Sequence, residues 1–427
     1  MVVVGAAVRT EGAEPEQPAV SESLGPLAER VRRLVEQLDD DRLAVRTQAE
    51  AELVRLGPRA ADYLPEADDG MSAEVVHRLA RVRNGWLGEQ IKIVQEASKI
   101  TWPDGTIRLA ELLELVQKQT GNQLRIREEI APSLAERMVK VEAGSVDFWP
   151  AIDRVLDQVG LTPYHFSRNQ ELLLMAVPES QVARYDRALY CGPFRLEPVR
   201  LEAHRDLRSP VTSRLTLHVE IAWEPRLTPI GVNQPLADVD ATGDGGIPLR
   251  LVERDLDLSP VVHQGTTAVD LEIPFQLPPR RIKQIAVVRG KLSVLLPGVI
   301  QALRFEQLEA GGLQQRQEGD VTVLLEGIRR NGQLWEIRLR VRFAGADEAL
   351  DSHRGWLFRN ACFLVDQHKK RYEHAGFETT RQNQGEVGIA YLFDVAEDLA
   401  GLTLVYETPV SILQVPVEYE LRNIPLP

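Results

Sequence analysis

The residues of this chain that could carry chemistry are thinly spread. Its eight histidines are His77, His165, His204, His218, His263, His353, His368 and His374. None falls into a His-Glu-x-x-His pattern, which would set two metal ligands on one helix face. The closest pair, His368 and His374, spans the basic run Lys369-Lys370-Arg371, whose charge repels a cation. The histidines are therefore read as structural or solvated, and His368–Arg371 as a hairpin tip in water. Asp238, Asp240 and Asp244 place hard oxygen ligands at alternating positions, as Ca²⁺ prefers. Gly243 stands sixth in that run, but Leu249 stands twelfth, where a closing bidentate glutamate is needed. A Gly/Asp turn between strands is expected there, with calcium left open.

Nucleophile signatures are absent. The sequence has no Gly-x-Ser-x-Gly elbow, no Ser-x-x-Lys constellation of the β-lactamase kind and no phosphate-binding Gly-x-x-x-x-Gly-Lys-Ser/Thr loop. Cys191 and Cys362, the two cysteines, are too few for a disulfide scaffold or a Cys-based zinc site. They read as buried thiols, and a long-range disulfide between them, which would need an oxidising compartment, stays open. No catalytic, cofactor-binding or metal residue is assigned, no cofactor is expected, and the chain is expected not to be an enzyme. A hydrolase whose acid and base converge from distant loops is the alternative that spacing alone does not address.

The chain has 427 residues, of which 50 are Lys or Arg and 63 Asp or Glu, for a net charge of −13. With 44% hydrophobic and 26% charged residues, the composition is that of a folded chain of several domains. The acidic balance argues against a general nucleic-acid binder, because affinity for a polyanion rests on neutralising phosphates with Lys and Arg. No apolar run is long enough for a transmembrane helix. Residues 1–23 begin with the apolar stretch Met1–Val8, followed by Arg9 and a Glu/Pro/Ser-rich run. This is read as the remnant of an export signal and a flexible linker, with the true start upstream.

Residues 24–98 are expected to be helical. Leu27, Val31, Leu34, Val35 and Leu38 recur at amphipathic helix spacing. Asp39-Asp40-Asp41 is expected to cap the next helix, and Gly57-Pro58 to end it. A short helix is expected near Ala60–Leu64 and another from Ser72. Residues 99–180 mix helix and strand: a helix carrying Ile107, Leu109, Leu112, Leu113, Leu115 and Val116 stops at Gly121, and a second carrying Ile152, Val155, Leu156 and Val159 stops at Gly160. Ser145 is expected to cap the second. The two glycines lie 39 positions apart, and Val116/Val155 and Leu113/Ile152 repeat at the same offset. Strands at Tyr164–Phe166 and Leu172–Val177 are expected to pair as a hairpin around Arg168-Asn169. Trp102 and Trp149 sit at the edges of this region and are read as packing residues, with partner anchoring as the sharper option.

Two resemblances rest on these residues. The segment Leu38–Leu64, with its Leu-Asp-Asp-Asp-Arg opening and Leu-Gly-Pro corner, resembles a HEAT-type repeat. Leu112-Leu-Glu-Leu-Val-Gln-Lys-Gln-Thr-Gly121, then Met138-Val-Lys-Val141, then Ala151-Ile-Asp-Arg-Val-Leu-Asp-Gln-Val-Gly-Leu161 and Leu172-Leu-Leu-Met175, resemble the short N-terminal domain of secretins and TonB-dependent receptors. The resemblance implies an extracytoplasmic α/β module that docks protein partners in the bacterial envelope. The chain beyond this module carries no secretin pore region and no outer-membrane barrel pattern.

From residue 196 the hydrophobic period becomes two. Leu215, Leu217, Val219, Ile221 and Trp223 alternate with polar residues, as do Trp335, Ile337, Leu339, Val341 and Phe343, and again Val415, Val417, Tyr419 and Leu421. Each run reads as an antiparallel strand with one wet face, and Pro416 implies an edge strand or a bulge. Two sandwiches are expected, at 196–310 and 311–427, with one large sandwich as the alternative. The expected fold class is multidomain α+β: a helical segment, a small α/β secretin-type module and an antiparallel β-sandwich region. The expected role is a scaffold or interaction protein outside the cytoplasm whose partners are envelope proteins, with no nucleic acid and no transmembrane segment. A carbohydrate- or peptidoglycan-binding sandwich protein is the alternative.

Overall fold

The computed structural model describes residues 26–57, 60, 63–65, 71–167, 169–177, 188–343, 354–383, 385–395 and 398–427. The expected export signal and linker, at residues 1–23, lie outside them. The fold is mixed α+β, 24% helix and 46% strand, with antiparallel sheets dominating. It divides into two compact units, one reaching Trp86 and the other spanning Leu87–Pro427.

In the first unit, helices α1 (Pro26–Gln37), α2 (Leu43–Leu56) and the part of α3 (Ala73–Gln95) through Trp86 bury one apolar stripe each. Val31 and Leu34, Ala49 and Leu53, and Val75, Leu79 and Val82 meet in one core, the outcome that i, i+3/i+4 spacing dictates. Trp86 closes it, and its indole N–H donates to the Leu53 and Val54 carbonyls at 3.1 Å in the last turn of α2, where carbonyls run short of helical donors; Val54 also accepts the Gly57 N–H. The expected acidic cap differs in detail. Arg42 is the N-cap residue and makes no side-chain cap bond. Asp40 instead accepts the Arg42 N–H at 2.8 Å, and Asp39 accepts the Ser72 hydroxyl at 2.7 Å. Ser72 accepts the Val75 N–H at 3.3 Å at the start of α3. Of the short helix expected at Ala60–Leu64, the described residues are Ala60, Tyr63 and Leu64.

The second unit begins with a module built twice over. Strands β1 (Lys99–Trp102) and β2 (Gly105–Arg108) lead into α4 (Leu109–Thr120) and β3 (Leu124–Ile126). After the short α5 (Ala131–Leu134), strands β4 (Met138–Val141) and β5 (Gly144–Asp147) lead into α6 (Phe148–Val159) and β6 (Leu161–Tyr164). Strand β7 (Leu172–Ala176) closes it. Each half borrows its partner strands from the other: β1 pairs with β5 and β2 with β4, both antiparallel. Gly121 and Gly160 both adopt left-handed backbone, at φ 73° and 65°, which a residue without Cβ adopts freely. The repeat extends to side chains. Gln119 accepts the Thr101 N–H at 2.8 Å and donates to the Thr101 carbonyl, and Gln158 does the same to Lys140. Strand β7 pairs antiparallel with β6 and parallel with β3; the hairpin's first strand is Leu161–Tyr164 rather than the expected Tyr164–Phe166, and Ile107, expected in the first helix, lies in β2. Ser145 is not a cap: it lies in β5 opposite Thr101, and Asp147 precedes α6 without a side-chain cap bond. Strand pairing claimed the serine before the helix began.

The remaining strands form two sandwiches among the described residues. Strands β8 (Leu189–Cys191), β9 (Phe194–His204), β10 (Arg214–Trp223), β11 (Gly231–Pro235), β12 (Asp240–Gly243), β13 (Pro248–Leu249), β14 (Asp257–Leu258), β15 (Ala268–Gln276) and β16 (Gln284–Pro297) come first. The order β15–β10–β9–β8 makes one sheet, and β16 is the spine of the other, with β11 and β12 on one side. The chain then builds β17 (Ile300–Phe305), β18 (Gln314–Glu318), β19 (Val321–Asn331), β20 (Leu334–Phe343), β21 (Cys362–Val365), β22 (Arg371–Glu373), β23 (Gly376–Asn383), β24 (Glu386–Phe393) and β25 (Thr403–Pro409). These pair as β17–β25–β21–β22 and β18–β19–β20–β24–β23 around their own core.

The last strand, β26 (Ile412–Pro425), does not join them. It runs antiparallel along β16 from Pro297↔Ile412 to Gln284↔Pro425 and buries Leu413, Val415, Val417, Tyr419 and Leu421 in the first sandwich. The second sandwich is thus an insertion between β16 and β26. The expected division into 196–310 and 311–427 does not follow the strand pairing, because alternation marks a strand but not its partner. Among the described residues β26 pairs with β16 alone, so Pro416 sits on an edge strand, where its missing N–H removes no ladder bond.

Candidate functional site

Two buried polar clusters fix the small module to the first sandwich. Glu224, fully buried just beyond β10, accepts hydrogen bonds from the Ser98 N–H (2.8 Å) and hydroxyl (2.6 Å), the Asn122 amide (3.1 Å) and Arg226 Nε (2.6 Å). Asn122 follows the glycine that ends α4, and its Oδ1 accepts the Arg226 N–H at 2.8 Å. A buried carboxylate is tolerated when its acceptor positions are filled in this way.

The second cluster centres on Arg195 of β9 and Asp153 of α6, both fully buried. Arg195 Nε donates to Asp153 at 2.7 Å and another of its nitrogens to Glu197 at 2.5 Å, while the Tyr190 hydroxyl donates to Asp153 at 2.9 Å. Trp149 lies under the guanidinium at 5.9 Å and donates its indole N–H to the Pro193 carbonyl. His165, 2% exposed, has Nδ1 2.8 Å from the Thr267 hydroxyl and Nε2 3.5 Å from Glu220. Burial raises the Glu197 pKa, outweighing the pull of Arg195. A raised folded-state pKa means that stability is lost as pH rises through it. Glu197→Gln is therefore expected to be more stable than the parent chain at neutral pH. The gain should vanish as pH falls into the ordinary glutamate range, a trend that urea midpoints across pH measure directly.

The cleft of interest lies where the β6–β7 hairpin and the two sandwiches meet. It encloses about 340 Å³, within the range of small binding sites. Its apolar lining comes from Leu227 and Ile230 after β10, Val262 before β15, Pro297 and Ile300 at the crossing into the second sandwich, and Trp356. Trp356 is 3% exposed and its indole N–H has no acceptor among the described residues. Gln170, at φ 54°, brings the hairpin to the cleft by donating its N–H to the Gly265 carbonyl and its side-chain amide to the Pro225 carbonyl.

Polar side chains share the lining with the apolar ones, Thr228, His263, Gln264 and Thr266 among them. Arg359, exposed beside Trp356, has no hydrogen bond or ion pair among the described residues. Desolvation by its surroundings pulls its pKa below the ordinary arginine value, with no acid to offset it. Asn360 donates to the Tyr406 and Thr408 hydroxyl oxygens at 2.9 Å, which orients the stretch after Trp356 and Arg359. Glu407 is the one carboxylate among the lining residues, and the imidazole of His263 lies in the same lining. The set offers an unpaired cation, an indole donor and an apolar floor.

The residues singled out by sequence go elsewhere. Asp240 pairs with Arg254, and Asp244 accepts the Lys283 and Gln284 backbone N–H groups, while Asp238 is exposed at the end of the short turn Leu236–Asp238, so this segment is a strand-and-turn element. Cys191 and Cys362 are free, in β8 and β21, and burial raises both thiol pKa values. Trp102 and Trp149 belong to the module core, 6% and 0% exposed, and are not surface anchors. The run His368–Arg371 turns between β21 and β22, with Asp366 accepting the His368 and Lys370 N–H groups. One acidic group with metal-like spacing exists among the described residues, His218, Asp270 and Glu272. There the Arg200 guanidinium lies 3.1 Å from the same His218 Nδ1 that faces Asp270 at 3.2 Å, and its charge opposes a cation. Arg359 and Trp356 were not singled out from sequence; an Arg inside a short helical turn carries no periodic signal. No helix among the described residues is long and apolar enough to cross a membrane. No protein-family model, curated protein or solved structure matches this chain.

Proposed function

We propose that this chain is a non-enzymatic interaction protein of the bacterial envelope, working outside the cytoplasm, that holds a partner protein at the cleft of its second unit. The observation that carries the reading is Arg359, a cation left without a partner on the wall of an apolar cavity beside an indole N–H that also lacks one. Such a pair suits a peptide segment that supplies a carboxylate or carbonyls together with an apolar side chain. The two buried clusters support it by holding the walls in place before binding, which lowers the ordering cost. Strand β23 pairs with β24 alone among the described residues, and its Phe377 is 40% exposed, so it offers a second contact by strand addition. The secretin-like pattern of residues 99–180 supports the envelope placement. A glycan reading would need an exposed aromatic platform, and the ring in this cleft is buried.

The test is photo-crosslinking in the native host, with the crosslinking residue placed at Ile300, which lines the cleft and is 58% exposed. A discrete adduct with an envelope protein is expected, and Arg359→Glu should reduce it about tenfold or more, the loss of one charge-assisted hydrogen bond and its reversal into repulsion. Equal adduct yield from Arg359→Glu, or fractionation of the chain to the cytosol, would overturn the proposal.

A further inference from the structure

A different surface gathers cations and exposed apolar side chains at one place. The β9–β10 hairpin and the β15–β16 connection meet at one end of the first sandwich, where the Leu277 N–H reaches the Ser213 carbonyl. Arg205, Arg280 and Lys283 line a common hollow there of about 560 Å³, Arg208 and Arg281 lie in the same two loops, and Arg214 opens β10, all exposed. None of these six cations makes an ion pair among the described residues. In this chain of net charge −13 other arginines of the same sandwich do pair with acids, Arg200 with Glu202 and Arg289 with Glu420. Two acidic side chains at this end are already engaged. Asp206 accepts the Arg208 and Ser209 N–H groups and the Thr212 hydroxyl, and Asp244 accepts two backbone N–H groups.

Two apolar side chains project from the same hairpin tip, Leu207 at 86% and Val211 at 91% exposure. Their loop is held by the Asp206 bonds and the short turn Pro210–Thr212, so the exposure is built into an ordered tip. Isolated exposed apolar residues are ordinary. Two of them crowning an unpaired cationic collar form the pattern of an interfacial contact, in which apolar groups enter the acyl boundary while Lys and Arg meet phosphate headgroups. The tip loops carry no aromatic ring on which a nucleobase could stack.

We infer that this tip docks on a membrane surface rich in anionic phospholipid, with Leu207 and Val211 inserted and Arg205, Arg208, Arg280 and Lys283 on the headgroups. The inference stands apart from the cleft, so either can fail alone. It is tested by flotation of the full chain with vesicles of phosphatidylcholine alone or with phosphatidylglycerol, at about 0.1 M salt. Partition onto the anionic vesicles should exceed that onto neutral ones about tenfold or more. Leu207→Asp with Val211→Asp should lower it by a comparable factor, and Arg208→Glu with Arg280→Glu should abolish the anionic preference. All four positions are exposed, and circular dichroism confirms the fold of each variant. Failure of the wild-type chain to float, or flotation unchanged in the aspartate variant, overturns the inference. So does binding of a single-stranded oligonucleotide that survives the aspartate pair and is lost on charge reversal, which would assign the collar to nucleic acid.

Discussion

A chain ended after Pro409 is expected to lose the first sandwich while retaining every strand of the second. Strand β26 places Leu413, Val415, Val417, Tyr419, Leu421 and Ile424 in the first core, and burying each such side chain contributes about 1.5–3 kcal/mol. Their joint loss, about 10 kcal/mol or more, is comparable with the whole stability of a typical domain, about 5–15 kcal/mol. Tyr419 adds a hydrogen bond from its hydroxyl to Gln234 at 3.0 Å and covers Gly290, its cross-strand neighbour. Limited proteolysis read by mass spectrometry should show residues 189–299 cut rapidly and 300–409 spared. Equal protection of both would mean that the first sandwich closes without its last strand. A division of the chain at residue 310 predicts the opposite, that an end removed from beyond that point damages only the second sandwich.

Replacing Arg195 with methionine is expected to destabilise the Leu87–Pro427 unit by about 3–5 kcal/mol, because it breaks the fully buried ion pair with Asp153. A neutral donor such as the Tyr190 hydroxyl does not replace the charge of the guanidinium. The double variant Asp153→Leu with Arg195→Met should recover most of the loss, since a well-packed apolar pair avoids desolvating two charges. Urea denaturation of the two single variants and the double variant measures both quantities. A single variant within about 1 kcal/mol of the parent would show that water or neighbouring groups already neutralise Asp153. Because Asp153 belongs to the module and Arg195 to the sandwich, the single variants should also loosen the cleft, and crosslinking at Ile300 should fall with them.

Local pattern carried a large share of the architecture. The apolar spacing of Val31 and Leu34, and of Leu112 and Val116, marks helix faces that the structure buries. The offset of 39 between Gly121 and Gly160 foreshadows a module whose halves share backbone geometry and even the Gln119 and Gln158 contacts. Alternation through Leu215–Trp223 and Val415–Leu421 marks strands whose inward residues are buried. These signals are legible because helix and strand periods are properties of a few consecutive residues.

Partnership is another matter. Nothing local in Gln284–Pro297 says that its neighbour is Ile412–Pro425, since pairing is chosen by competition among all available strands. Nor does local sequence distinguish Glu224, sealed by Ser98, Asn122 and Arg226, from the chain's many solvated glutamates; burial of a charge is decided by what distant segments bring to it. The same holds for function-bearing groups. Arg359 and the collar around Leu207 and Val211 are ordinary residues by type, and only the fold leaves the cations without acids and the apolar tips without cover. Sequence alone determined the elements, their inward faces and the internal repeat, because those follow from backbone geometry over short range. Tertiary structure decided which strands pair, which charges are buried and which are left exposed and unpaired, because those are set by contacts between residues far apart in the chain.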